Sequence, residues 1–129
     1  MFVHEPNSDA VEKWFETSDA PLVSADWILT EFASALALKV RRRDLSTSQA
    51  AAARKEFAIF ARGGLRLIPV TRQAFRSAAD FSSDTASGLR SGDSLHLAVA
   101  LEAGISRLIS ADRNLLRNAE AKGIASIRL

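Results

Sequence analysis

Apolar residues along the chain recur with two spacings. Ile28, Phe32, Leu36 and Val40 fall at every fourth position, which predicts a long helix over residues 26–43 with that stripe in the core. Val11, Trp14 and Phe15 share one face of an earlier segment, so residues 7–17 read as a first helix, with Asn7 or Ser8 as its cap and Pro6 just ahead. Ser46 caps a third helix over residues 47–61 that ends at Gly63 and Gly64, and Thr71 begins a fourth that reaches Phe81. Residues 93–102 and 113–122 complete the helical set. Short apolar runs at 21–24, 65–70, 105–110 and 124–129, bounded by turn-forming residues, read as strands. The polar stretch SSDTASGLRSG, residues 82–92, is a loop.

Short apolar strands alternating with helices imply an α/β fold whose parallel sheet is covered on both faces. Sites in such folds gather at the carboxyl ends of the strands. Three acids meet that condition. Glu31 lies in the second turn of the helix after the first strand, and Asp112 directly follows the third strand. Asp93 opens a helix that should rise roughly 15 Å to residue 102. Gly104 stops that helix, and a six-residue strand follows, rising roughly 20 Å. If the strand packs back along the helix, Asp112 returns close to Asp93. Each acid also has a local explanation, because free N–H groups and the helix dipole favour carboxylates at helix starts. Capping, however, does not require all three starts to meet at one sheet edge. Clustered carboxylates repel one another and need a cation; with oxygen ligands only, the expected ion is Mg²⁺ or Mn²⁺. Such an ion activates water and neutralises charge on a phosphodiester.

Composition narrows the setting. A chain of 129 residues fits one domain, residues 1–129, long enough to bury roughly two-thirds of the surface its unfolded form exposes. The absence of cysteine excludes disulfides, thiolate metal sites and thiol nucleophiles, and permits a reducing compartment, with the cytoplasm as the expectation. No signal-peptide pattern opens the sequence and no run of about 18 apolar residues occurs, so a soluble protein without a membrane segment is expected. Net charge is only +2, yet 13 of the 17 bases are arginine, whose planar fork suits phosphate. Arg41, Arg42 and Arg43 end a helix, where the dipole favours positive charge; Arg41 and Arg42 are also candidate phosphate contacts beside the acidic cleft. Ser110 and Asn114 flank Asp112 and either bond a water or phosphate there or cap the helix. His96 shares a face with Asp93, but Leu95, Leu97 and Val99 put that helix in the core, so it reads as a structural histidine. Phe32, Phe57 and Phe60 have the spacing of core residues rather than of a base-stacking platform.

The segments LVSADWILTEFASAL with Glu31, GLRSGDSLHLAVALEAG with Asp93 and LISADRNLLRNAEAKG with Asp112, in that order, resemble PIN-domain nucleases, specifically the VapC-like toxins of bacterial toxin–antitoxin pairs. HEPNSDAVEKWF resembles the family's first helix. The resemblance implies a three-layer α/β/α sandwich with a parallel sheet. It implies an endoribonuclease cutting RNA with Mg²⁺ or Mn²⁺ at an acidic cluster of Glu31, Asp93 and Asp112, commonly a homodimer, held inactive by a cognate antitoxin. One departure accompanies it. The family begins with a central strand that carries an aspartate, and Met1 falls inside the segment that follows it; Glu5 and Asp9 belong to the loop and helix after that strand. The expectation is therefore a sheet whose first strand, with one metal ligand, is absent from this sequence, and a weak nuclease. The alternative is a catalytically weak or inactive PIN-like module that binds an antitoxin or dimerises.

Overall fold

The computed structural model describes residues 21–129. The helix expected over residues 7–17, together with His4, Glu5 and Asp9, lies outside the described residues. Those described fall into two compact units, one up to Leu67 and one spanning Ile68–Leu129.

The first unit contains β1 (Leu22–Ala25), α1 (Trp27–Arg41) and α2 (Thr47–Gly64), with β2 (Leu65–Ile68) at its end. β1 is hydrogen-bonded to β2. The four-residue spacing on α1 acts as expected for three of its four positions: Ile28, Phe32 and Leu36 are buried and form one core with Phe57 of α2, against which Leu65 and Leu67 of β2 pack, while Val40 near the helix end is half-buried outside it. Phe32 and Phe57 stack with ring centroids 4.2 Å apart and planes 19° from parallel, a pairing worth about 0.5–1.5 kcal/mol beyond its buried area. α2 opens with a reciprocal cap in which Ser46 Oγ accepts from the Gln49 amide at 3.1 Å and Gln49 Oε1 accepts from the Ser46 amide at 2.8 Å. Its other end departs from the expectation. The helix runs through Gly63 and Gly64 and passes straight into β2, because neither glycine takes the left-handed conformation that would cap it.

The second unit contains α3 (Arg72–Ser83), α4 (Ser91–Glu102), β3 (Arg107–Ser110), α5 (Arg113–Ala121) and β4 (Ala125–Arg128). β3 and β4 pair in parallel, in a register that sets Arg107 opposite Ala125 and Ser110 opposite Arg128. α4 is apolar around most of its circumference, and Leu95, Leu97, Ala98, Val99 and Ala100 are all buried, the pattern of a helix enclosed by its neighbours. Leu97 and Ala100 of α4 share a core with Leu115 and Ala119 of α5, with Leu89 before α4, and with Ile124 before β4. Thr71 caps α3, accepting from the Ala74 amide at 3.0 Å, and its hydroxyl donates to the Glu102 carboxylate at the far end of α4.

The turn from α4 to β3 explains why that strand is shorter than the spacing suggested. Gly104, at φ +68°, lets the Gly104 amide bond Leu101 O at 3.2 Å and the Ile105 amide bond Ala100 O at 3.0 Å. These are the paired bonds of a Schellman cap. Ile105 is thereby committed to the helix end and to the core, and β3 begins only at Arg107. The same device ends α5, where the amides of Gly123 and Ile124 bond Glu120 O and Ala119 O. Among the described residues no helix is long and apolar enough to cross a membrane.

Candidate functional site

Asp112 is the N-cap of α5. Its Oδ1 accepts from the amides of Asn114 at 2.8 Å and Leu115 at 3.1 Å, groups that would otherwise lack partners at the helix start. Both bonds fall on one oxygen of an exposed carboxylate. A carboxylate has two oxygens with several lone pairs, so capping and cation binding are compatible at this residue. The approach to Asp112 is fixed as well: Ser110 Oγ accepts from the Asp112 amide at 3.0 Å, and Ser110 O accepts from Leu129 beyond the end of β4 at 3.2 Å.

Asp93 is half-buried in the first turn of α4. The sequence suggested that the helix begins at Asp93; it begins at Ser91, with Arg90 as a cap that offers no side-chain bond. Two further residues of the polar stretch thus join the helix, since the Ser94 amide finds Arg90 O at 2.9 Å. Ser94 is fully buried and accepts a 2.7 Å bond from Ser82 Oγ at the end of α3. His96, one turn on, is half-buried among the core positions of α4.

The loop of residues 84–90 that delivers Asp93 is tied both to itself and to α5. Asp84 Oδ1 accepts from the Ala86 amide at 3.1 Å. The buried Ser87 hydroxyl lies 3.0 Å from Phe81 O and 2.8 Å from Asp84 O as a donor, and accepts from the Leu89 amide at 3.2 Å. Asn118, in the middle of α5, donates through Nδ2 to Ser87 O at 3.0 Å and to Asn114 O at 2.8 Å. Arg117 adds a longer bond to Ser87 O at 3.5 Å and a short one to Asn114 Oδ1. At Gly88 the backbone turns through φ +65°, and a Cβ there would stand 3.1 Å from Asn114 Nδ2. The segment before Asp93 and the helix capped by Asp112 are therefore in direct contact.

Ser87, Gly88, Arg117 and Asn118 escaped the sequence reading. The available signal was faint: Asn114 and Asn118 are one turn apart on α5, and a glycine interrupts the polar loop. Ser110 and Asn114, singled out beside Asp112, both serve as supports in this structure, the first holding the Asp112 backbone and the second pairing with Arg117.

Glu31 lies in the second turn of α1 in the first unit and is half-buried. Arg41 and Arg42 are exposed at the other end of that helix, about 15 Å from Glu31 along the axis at 1.5 Å per residue. Among the described residues, no group of three or more His, Cys, Asp or Glu side chains is arranged to hold a metal ion. The donor chemistry still suits a hard cation. Asp93 and Asp112 offer carboxylate oxygen alone, and Mg²⁺ needs only one or two carboxylates, with water and substrate phosphate supplying the rest.

The family description of the PIN domain matches residues 1–121 of the chain. Among solved structures the chain is similar to VapC20 of Mycobacterium tuberculosis, a sarcin–ricin loop cleaving toxin. The two share 18% sequence identity with a TM-score of 0.70, over 98% of this chain and 88% of that one. Such a likeness establishes the fold. No curated protein matches.

Proposed function

The chain belongs to the PIN-domain family and has its α/β fold, and from that premise we propose that it is a metal-dependent endoribonuclease of the VapC-like toxin type. Asp93 and Asp112 hold a Mg²⁺ or Mn²⁺ ion, and Glu31 is the third acid that the family resemblance assigns to catalysis. The observation that carries the reading is the contact between the loop leading to Asp93 and the helix that Asp112 caps, which ties together the surroundings of two acids far apart in sequence.

When bound, such an ion would neutralise charge on the phosphodiester and lower the pKa of a bound water, favouring its loss of a proton to give the hydroxide nucleophile. The chain's own groups prepare that event. Ser110 holds the Asp112 backbone, the N-cap fixes the Asp112 carboxylate, and the buried α4 carries Asp93 on a helix enclosed by core residues. Arg41 and Arg42 contact RNA phosphates. A cognate antitoxin that masks the acids, a homodimer and a cytoplasmic setting complete the proposal.

The test is Mn²⁺ titration by calorimetry of wild type and Asp93→Asn, alongside Mg²⁺-dependent cleavage of RNA by both. The substitution removes charge at nearly constant volume, so the fold should persist. Loss of the binding heat together with a fall in cleavage of two orders of magnitude or more is the expected result. Equal heats in the two proteins would remove Asp93 from the site. Binding without cleavage by wild type would favour a PIN-like module that pairs with a protein partner instead of cutting RNA.

A further inference from the structure

We infer that Asn118 is a positioning residue which, acting on Ser87, locks the start of α4 with Asp93 against the start of α5 with Asp112, and so sets the spacing of the two carboxylates. This rests on the reading of those aspartates as ligands.

Three features of the geometry support it. First, the Asn118 amide faces two carbonyl oxygens, Ser87 O at 3.0 Å and Asn114 O at 2.8 Å. An NH₂ group has two hydrogens, and only that end of the side chain satisfies both acceptors. One bond lies within α5, one turn from Asp112; the other crosses to the loop that leads into α4. Second, the receiving residue is itself held by several bonds. Ser87 is buried, and its hydroxyl donates its one hydrogen between Asp84 O at 2.8 Å and Phe81 O at 3.0 Å while accepting from the Leu89 amide; Leu89 is itself anchored in the core beside Leu97 and Leu115. Ser87 and Leu89 therefore link the Asn118 bond to Arg90 and the first turn of α4. Third, Gly88 lies so near the Asn114 side chain that even a methyl group would reach 3.1 Å from its amide nitrogen, so the loop backbone packs directly on a side chain of the first turn of α5. Supports that orient metal ligands without touching the ion commonly alter metal affinity tenfold to a hundredfold.

The experiment compares wild type, Asn118→Asp, Asn118→Leu and Thr71→Ala. The first two variants keep the side chain's approximate volume and remove the donor, one with charge and one without. Thr71→Ala removes the cap of α3 and its bond to Glu102, well away from the clamp. Mn²⁺ affinity is read from the electron paramagnetic resonance of the free ion. Both Asn118 variants should bind about 10–100-fold more weakly, whereas Thr71→Ala should bind as wild type does even where its thermal midpoint falls as far. Wild-type affinity in the Asn118 variants, or equal weakening in Thr71→Ala, would overturn the inference.

Amide hydrogen exchange on the metal-free proteins separates this failure from failure of the metal reading. In both Asn118 variants, protection should fall together at Leu89 and Ser94 on one side and at Asn114 and Leu115 on the other. If wild type binds no Mn²⁺, the metal assignment fails, and this paired loss still establishes the clamp. Loss confined to Leu89 would mean that the two helix starts are not coupled, and would refute it.

Discussion

Gly88 combines the two reasons for which a backbone position excludes a side chain. Its φ of +65° falls in the left-handed region, and the space beside it is already taken by Asn114. A residue with a Cβ pays about 1–2 kcal/mol for that conformation, before any displacement of the asparagine. Gly88→Ala should therefore lower unfolding stability by at least about 1 kcal/mol in urea titrations, with a fall of several degrees in the thermal midpoint; a variant within about 0.3 kcal/mol of wild type would show that the loop relaxes freely. Individual residues were legible in the sequence to very different degrees. Asp112 could be read both as a cap and as an acid at a strand end, and its capping role is seen directly. Arg41, Arg42 and the buried phenylalanines were also visible, because charge runs and apolar spacing are properties of the sequence itself. The clamp was not. Ser87 and Asn118 are ordinary polar residues, and their bond joins positions 31 residues apart; only the fold brings such a donor and acceptor together.

α1 ends with an exception to the usual chemistry of helix termini. The amides of Arg43 and Asp44 bond Val40 O at 3.0 Å and Lys39 O at 2.9 Å, the same paired bonds that Gly104 supports after α4. Here the left-handed position is held by Arg43, at φ +63°. Relieving its strain gains about 1–2 kcal/mol, and glycine returns about 0.4–1 kcal/mol through the greater freedom of the unfolded chain. Arg43→Gly should thus raise stability slightly, by about 0.5–1 kcal/mol. If the arginine is retained for phosphate, RNA affinity should fall in the same protein; a stabilised variant with undiminished affinity would reduce the run to a helix end. Most elements were legible, since α1 and the order of helices and strands follow from spacing and caps. Their limits were less so. α2 continues through two glycines because nothing forces either into the left-handed region, and β3 loses its first residues to the cap of α4. Both outcomes depend on backbone conformation, which a glycine permits without specifying.

Charge is unevenly distributed along the chain, and this bears on RNA binding by the molecule as a whole. Residues 1–20 hold five of the fifteen acids and one of the seventeen bases, so residues 21–129 carry a net charge of +6 against +2 for the whole chain. The mild total therefore understates how basic most of the sequence is, and a polyanion is an appropriate partner despite the carboxylates at the proposed site. Association with single-stranded RNA that rests on phosphate contacts releases condensed counterions, and the logarithm of affinity should fall linearly with the logarithm of salt, by about 0.7 for each phosphate neutralised. The measurement belongs in the Asp93→Asn background, where the RNA stays intact during titration. Replacing both Arg41 and Arg42 with glutamine should flatten the slope by up to about 1.4, two contacts at that increment, and should weaken binding to unrelated sequences alike, because phosphate contacts carry no base information. Unfolding cannot account for such a result: both residues are exposed at the end of α1, and the thermal midpoint should hold within a few degrees. A weaker complex with an unchanged slope would instead indicate uncharged contacts, and an unchanged complex would leave these arginines solvated at the helix terminus with the phosphate contacts elsewhere in the basic sequence.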